Sequence, residues 1–220
     1  GNMAAELMAA AAGPMSLSAL AVPLLMLSDF RGFRPGRYLF KPMAALAFLW
    51  LALAMGATGS AYGWWVLAGL LCCALGDLLL MPDDERCFLA GLVSFLCGHL
   101  CYAVAFLSLD HSPLGLVLNS VPAIALLLLA WRWLRPHLDS TMTTPVFAYP
   151  VVITAMLLCA GSAAQQPAAP FILAGAWGCA VSALAVARQQ FVSPGRRNGL
   201  WGSPLYFFSQ MLLAASVASI

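Results

Sequence analysis

Residues 62–81 have the sequence YGWWVLAGLLCCALGDLLLM, in which Asp77 is the one charged side chain among 20 residues. A helix of about 20 apolar residues can cross the hydrocarbon core of a bilayer, because each residue adds about 1.5 Å of length. Comparable apolar stretches occur on both sides of this one. The predicted spans are 4–27, 38–56, 62–81, 87–108, 113–134, 145–161, 168–187 and 203–220. We therefore predict an all-α polytopic membrane protein with about eight transmembrane helices in a single domain, residues 1–220.

The overall composition agrees with a membrane protein. The 220 residues are 63% hydrophobic and 8% charged, whereas a soluble domain carries about 25% charged residues. So few charges could not cover a soluble surface, but lipid needs none facing it. The net charge of +2 and the lack of a recognition motif argue against a nucleic acid partner.

The first three residues are interpreted as a cloning remnant, because Gly1 and Asn2 precede Met3. The apolar run that begins at Ala4 lacks the basic segment of a signal peptide. We therefore predict that it forms the first span.

All positive charges fall on one side of the predicted membrane. The ten residues are Arg31, Arg34, Arg37, Lys41, Arg86, Arg132, Arg135, Arg188, Arg196 and Arg197. The loops around Thr58, Asp110 and Ser162 contain none. The positive-inside rule then predicts that both termini are non-cytoplasmic. The richness in Ala, Leu and Gly fits a bacterial inner membrane.

No metal or cofactor site is predicted. Seven cysteines lie in or beside apolar runs, where free cysteine behaves as a small hydrophobe. Cys97, His99 and Cys101 are close in sequence, but a residue at i+2 on a helix points about 200° away from residue i. His99 therefore does not share a face with the two cysteines.

Polar side chains within the apolar runs are the candidates for function, because such groups are costly in lipid. Helical rise places five of them in one layer of the cytoplasmic leaflet. They are Asp77, Lys41, Tyr149, Tyr206 and Gln210. His99 and Tyr102 in span four lie deeper.

Structural roles compete with functional ones for these residues. Asp77 could simply pair with Lys41, and His99 could bond a neighbouring helix. The tyrosines and Gln210 could be interfacial side chains. Their common depth favours a functional site, which we expect to be a cleft open to the cytoplasmic leaflet with an apolar tunnel past His99.

The sequence resembles the YhhN family of membrane proteins, which includes the lysoplasmalogenases. The likeness rests on Gly76-Asp77-Leu-Leu-Leu-Met81, Phe88-Leu-Ala-Gly91 and Phe95-Leu-Cys-Gly-His99-Leu-Cys-Tyr102, with Lys41-Pro42, Tyr149 and Tyr206-Phe-Phe-Ser-Gln210 as further matches. The resemblance implies an eight-span fold and a lysophospholipid substrate. It also implies substrate-binding roles for Lys41, Tyr102, Tyr149, Ser182, Tyr206 and Gln210.

One motif of the family is altered here. The resemblance leads us to expect Ser-Asp in span seven, and this chain has Ser182-Ala183. Ala183 lies at the depth of Asp77, counting five residues back from Arg188. The alanine is either natural or an engineered substitution that abolishes turnover, and we favour the second. Simple packing is the alternative, since Gly175, Ala176, Cys179 and Ala183 form a small-residue face.

The resemblance implies cleavage of the vinyl ether bond of a lysoplasmalogen, giving a fatty aldehyde and glycerophosphoethanolamine or glycerophosphocholine. Two carboxylates suit this chemistry, as they suit glycoside hydrolysis, because both reactions pass through an oxocarbenium ion. An acid in an apolar setting also stays protonated more readily than in water. Asp77, position 183 and His99 are thus the catalytic candidates.

The alternative function is transport of a lipid or small molecule. Intramembrane aspartate and histidine residues also form proton relays. Spans 1–4 and 5–8 carry polar residues at corresponding places, which suggests a 4+4 pseudo-repeat of the kind found in transporters.

Overall fold

The computed structural model describes residues 2–220, and within them the chain forms eight long helices and no strand. The helices are α1 (Asn2–Phe30), α2 (Arg34–Ala54), α3 (Ala61–Leu79), α4 (Glu85–Leu107), α5 (Pro113–Leu134), α6 (Thr143–Ser162), α7 (Ala169–Ala187) and α8 (Arg196–Ser216). Short 3₁₀ turns follow α2, α5 and α8, and a π-helical turn, Arg188–Val192, extends α7. Gly1, the first residue of the interpreted cloning remnant, lies outside the described residues.

Several helices begin at side chains that satisfy free backbone N–H groups. Ser60 accepts from Gly63 N at 2.9 Å, and Asp84 accepts from Arg86 N at 2.7 Å. Ser112 caps α5 in the same way, with Pro113 as the first helical residue. Proline is favoured there because its missing N–H would have no partner.

The helices form a bundle in which α1 and α5 are peripheral. The closest pairs are α3 with α4, α7 with α8, and α1 with α2. The second helix of each half also packs against the last helix of the other half, α2 against α8 and α6 against α4. These two contacts between the halves correspond to each other, as a 4+4 pseudo-repeat would require. One difference stands out, since α1 also packs against α8 but α5 makes extended contact with α6 alone.

Glycines allow the close pairs to approach. A Cβ at Gly76 of α3 would lie 2.7 Å from the Phe95 ring of α4. A Cβ at Gly175 of α7 would lie 2.7 Å from Leu213 of α8. Small residues at such positions drive helix association in lipid, where the hydrophobic effect contributes little.

The outside of the bundle is apolar. Large apolar side chains on α5 are mostly exposed, such as Val121 at 70% and Leu129 at 67%, and Phe208 of α8 is 63% exposed. Seven helices, α1 to α7, are long and apolar enough to cross a membrane. The protein is thus an integral membrane protein of the predicted all-α class.

Helix α8 differs from its predicted span. It begins at Arg196 rather than at residue 203, and its first turn carries Arg196, Arg197 and Asn198. Hydropathy cannot detect this turn because its residues are polar. The four connections that carry arginines lie together at one end of the bundle, which we call the basic end.

Candidate active site

A cavity of about 620 Å³ opens at the basic end and is surrounded by residues of all eight helices. It penetrates about half of the bundle. The deepest lining residue of α4 is His99, and the deepest of α8 is Phe207. The cavity contains Asp77, Lys41, Tyr149, Ser182, Ala183, Tyr206 and His99. Seven of the nine candidate residues therefore share one space.

Asp77 is the acidic group in the deep part of this cavity, while Asp29 and Asp83 line it near the basic end. Its side chain is 2% exposed, and its Oδ2 accepts a hydrogen bond of 2.9 Å from the Tyr206 hydroxyl. The Tyr206 ring is held edge-on against Phe95, with ring centroids 6.0 Å apart. Asp77 forms no ion pair with Lys41, since the ion pairs among residues 2–220 are Arg34–Asp83 and Arg37–Asp29. A close Lys41–Asp77 pair, the structural alternative, is not what holds the carboxylate.

Cations surround the entrance of the cavity. Arg37 lies one helical turn before Lys41 on α2, and both line the cavity. The guanidinium of Arg37 donates to Asp29 at 3.5 Å and to the Leu80 carbonyl at 3.3 Å. These contacts tie the basic ends of α1, α2 and α3 together. Among the cations that line the cavity, Lys41 is the one whose estimated depth in the membrane is closest to that of Asp77.

His99 lies at the inner end of the cavity. Its Nδ1 is 2.6 Å from the Phe95 carbonyl oxygen. Because a carbonyl only accepts, Nδ1 carries the proton and neutral Nε2 keeps a lone pair. Nε2 has no hydrogen-bond partner among residues 2–220. The ring also contacts Tyr149 edge-on, at 5.8 Å between centroids. His99 thus offers a proton acceptor at the cavity's inner end.

Tyr102 and Gln210 lie beneath the cavity rather than in its wall. Both are 0% exposed, and the Tyr102 hydroxyl donates to Gln210 Oε1 at 2.6 Å. The sequence predicts that both residues bind substrate. It also predicts that an apolar tunnel continues past His99. In the structure the lining on α4 ends at His99, and Tyr102, Gln210 and Phe106 beyond it are fully buried. The expected tunnel past His99 is therefore not seen among residues 2–220.

Position 183 lies in the wall of the cavity. Ala183 and Ser182 both line it, and the Ser182 hydroxyl donates to the Cys179 carbonyl at 2.9 Å. The tight α7–α8 contact uses Gly175 and Gly178 instead. A longer side chain at position 183 would therefore extend toward the space that contains Asp77.

Two parts of the site escaped prediction. One is the π-helical turn, whose Gln189 and Phe191 line the cavity. The other is the inner face of α5, which lines the cavity with Leu127 and Trp131. The π turn has no signature in the sequence. Helix α5 is apolar on every side, so periodicity could not reveal which side faces inward.

The fold and the cavity define an integral membrane protein with a carboxylate and a histidine held in an internal, one-ended space. The chain belongs to the YhhN family, whose model matches residues 36–217.

Curated relatives of the chain are named as lysoplasmalogenases. It is 32% identical over 185 residues to lysoplasmalogenase TMEM86B of Rattus norvegicus, an alignment that covers 80% of this chain and 70% of the relative. It is 31% identical over 157 residues to lysoplasmalogenase TMEM86A of Bos taurus, covering 69% and 64%. The lysoplasmalogenase of Mycobacterium tuberculosis (strain CDC 1551 / Oshkosh) is 36% identical over 110 residues, covering 47% and 41%. No solved structure matches the chain.

Proposed function

We propose that this protein has the active site of a lysoplasmalogenase, an intramembrane hydrolase that cleaves the vinyl ether bond of a single-chain phospholipid. The observation that carries the proposal is the cavity itself, which brings Asp77, Tyr206, His99 and position 183 to one water-accessible space within a membrane bundle. The names of the relatives supply the substrate class.

The reaction consumes one water molecule. An acid transfers a proton to the β-carbon of the vinyl ether, and the double-bond electrons form the new C–H bond. The resulting oxocarbenium ion is attacked at the α-carbon by water, which loses a proton to a base. The hemiacetal then collapses to a fatty aldehyde and the free hydroxyl of the glycerophospholipid head.

Asp77 is our candidate for the group that delivers the first proton. It is the carboxyl in the cavity that lies deep in an apolar run, and Tyr206 fixes its orientation. A positioned acid or base contributes about 10²–10⁴-fold to a rate. The second carboxylate would stand at position 183, where it could stabilise the cation and activate water.

With alanine at position 183, we infer that the protein binds its lipid but turns it over slowly. His99 is then the remaining group able to accept a proton from water, through its free Nε2. Removal of a group that acts mainly in the transition state lowers the rate more than the affinity. The proposed phosphate contacts lie on other residues, and an apolar alanine in the cavity wall is compatible with a bound hydrocarbon chain.

The cations at the entrance would hold the phosphate. Lys41 provides a compact positive charge beside the reacting groups, and Arg37 is already oriented by Asp29. Arginine presents a planar fork that suits phosphate, and lysine acts as a point charge. On the positive-inside rule, we propose that the site faces the cytoplasmic leaflet and that both termini lie outside the cytoplasm.

The closed inner end suits a hydrolase. Beyond His99 the Tyr102–Gln210 pair is hydrogen-bonded and fully buried, so this conformation has a single entrance. A hydrolase that takes a lipid from one leaflet and returns both products to it needs a single entrance. This is the arrangement of the cavity described above.

The proposal is tested by a substrate panel. Purified protein, with Ala183 and with Ala183→Asp, is incubated with lysophosphoethanolamines that carry a vinyl ether, a saturated ether or an ester at the first glycerol carbon. We expect aldehyde from the vinyl ether alone, much faster from the aspartate variant. Release of a fatty acid from the ester, or equal inertness of both proteins toward all three lipids, would contradict the proposal.

A further inference from the structure

One side of the cavity beside Asp77 is lined by α5, and we call this part of the cavity the α5 branch. Its lining residues on this helix are Leu126, Leu127, Ala130, Trp131, Trp133 and Leu134, which we call the α5 face. Their spacing of i, i+1, i+4, i+5, i+7 and i+8 places them on one side of the helix. None carries a charge, and the two tryptophans alone carry a polar side-chain atom. The branch therefore differs from the polar entrance between Arg37 and Lys41.

The cavity walls that α6 and α7 contribute are largely apolar. Helix α7 provides Ala183, Leu184 and Ala187, and α6 provides Val146 and Ile153, with hydroxyl groups only on Tyr149, Thr154 and Ser182. Because Asp77, Ala183 and the α5 face line one cavity, a hydrocarbon chain bound in the α5 branch would begin beside the candidate catalytic residues.

The hydrogen bonds that attach α5 to its neighbours lie near its other end. Asn119 donates to the Leu157 carbonyl of α6 at 2.6 Å and accepts from Trp177 Nε1 of α7 at 3.0 Å. Near the basic end α5 is held by apolar contacts, since Leu134 belongs to a buried cluster with Val146 and Trp131 lies edge-on to Phe147. This half of α5 therefore packs on α6 and also lines the cavity.

A long hydrocarbon chain needs such a path. The space beyond His99 is closed by Tyr102, Gln210 and Phe106, all 0% exposed. A chain attached to a head group near Lys41 cannot extend through the centre of the bundle. The α5 branch is the apolar direction left to it.

We propose that the α5 face and the facing residues of α6 and α7 bind the single hydrocarbon chain of the lipid. The identity of the head group rests on the proposed function, but the chain site does not require turnover. The occupant is one alkyl or alkenyl chain, since the branch is continuous with the polar cavity and its walls are apolar. In this arrangement α5 separates the bound chain from bulk lipid, which contacts the exposed Leu128 and Leu129 on the other side of the helix.

The test is photo-crosslinking with a lipid that cannot be hydrolysed. The probe is a 1-O-alkyl lysophosphoethanolamine with a saturated ether and a diazirine near the middle of its chain. The unsubstituted protein is irradiated in bilayers and the modified residues are mapped by mass spectrometry. We expect labelling at residues 126–134 and 183–187, prevented by excess unlabelled lysolipid but not by excess diacyl lipid.

Leu127 and Leu128 provide a matched pair of variants. Leu127 lines the cavity, whereas Leu128 is 64% exposed and faces away from it. Leu127→Trp fills the branch and should reduce the protectable labelling at least fivefold. Leu128→Trp adds the same ring on the lipid side and should change it less than twofold.

The outcomes separate this inference from the proposed function. Labelling centred on Phe106 or Leu213 would overturn the chain site, and so would labelling that excess lysolipid does not reduce. Equal effects of the two tryptophan variants would also contradict it. Aldehyde release with labelling elsewhere would leave the hydrolase standing and the chain site refuted. Labelling of the α5 face that excess lysolipid prevents, without aldehyde release by either protein, would support the chain site and contradict the proposed hydrolase activity.

Discussion

The Tyr206 hydroxyl of α8 donates a hydrogen bond of 2.9 Å to Oδ2 of Asp77 in α3. The two residues are 129 positions apart in sequence, and the bond joins the two halves of the chain at the centre of the cavity. A buried carboxyl with one fixed oxygen has a defined direction for the proton on the other. In the proposed mechanism Tyr206 therefore positions Asp77.

Removing the Tyr206 hydroxyl should slow the reaction. Asp77 becomes charged as it gives up its proton, and a hydrogen bond to a charged group contributes about 1.5–3 kcal/mol. Tyr206→Phe should therefore lower the initial rate of aldehyde release by about tenfold or more. The measurement is made in the Ala183→Asp protein, where turnover is expected to be fast. Phe208→Leu, a change on the same helix at a side chain facing lipid, is the control. An undiminished rate in Tyr206→Phe would remove Tyr206 from the mechanism.

We predict the direction of the chain in the membrane from its charges. Cysteines introduced at the exposed residues Thr58, Asp110 and Gln165, the last of which lies near Ser162 in the same connection, should react with an impermeant maleimide added to intact cells. Cysteines at Arg34 and Arg196 should react only after the membrane is opened. The unsubstituted protein gives the background from its seven natural cysteines. Labelling of position 34 from outside would invert the topology and move the cavity to the other leaflet.

Asn119 should stabilise the attachment of α5. It hydrogen-bonds both α6 and α7, and bonds of this kind in membranes average about 0.6 kcal/mol each. Asn119→Leu should lower the free energy of unfolding by about 1 kcal/mol, measured by denaturation in mixed micelles. Ser120→Ala is the neighbouring control, because Ser120 bonds only the Val117 carbonyl of its own helix. Equal stability of the Asn119 variant and the control would show that α5 is held by packing alone.

Carbon protonation can be followed directly with isotopes. When the Ala183→Asp protein acts in D₂O, the aldehyde should carry one deuterium on the carbon next to the carbonyl, because the new C–H bond forms from solvent-exchanged acid. Mass spectrometry of the aldehyde, trapped at once as a stable derivative, measures it. Aldehyde incubated with the protein in D₂O gives the level of background exchange. Product without deuterium above that level would exclude protonation of the vinyl carbon.

Sequence reasoning worked where one physical property dominates. Hydropathy located the helices because lipid tolerates few polar residues, and helical rise placed Tyr206 level with Asp77. The prediction that Gln210 lines the same site was wrong, because Gln210 lies one turn beyond Tyr206 on the same helix. One turn adds about 5.4 Å, enough to move the side chain below the cavity to Tyr102. The cavity-lining residues of α5 were not predicted, because they are as apolar as the residues of the same helix that face lipid. Only their contacts in the folded protein distinguish the two sets.

The two-carboxylate site is tested most directly by one comparison of initial rates. Aldehyde release from a vinyl ether lysolipid is measured for the protein with Ala183, for Ala183→Asp, and for Ala183→Asp combined with Asp77→Asn. We expect the aspartate at position 183 to raise the rate by about 10²–10⁴-fold, and the added Asp77→Asn change to abolish that gain while lipid binding persists. Efficient aldehyde release by the Ala183 protein, unchanged by Ala183→Asp, would contradict the two-carboxylate account and leave His99 as the candidate acid.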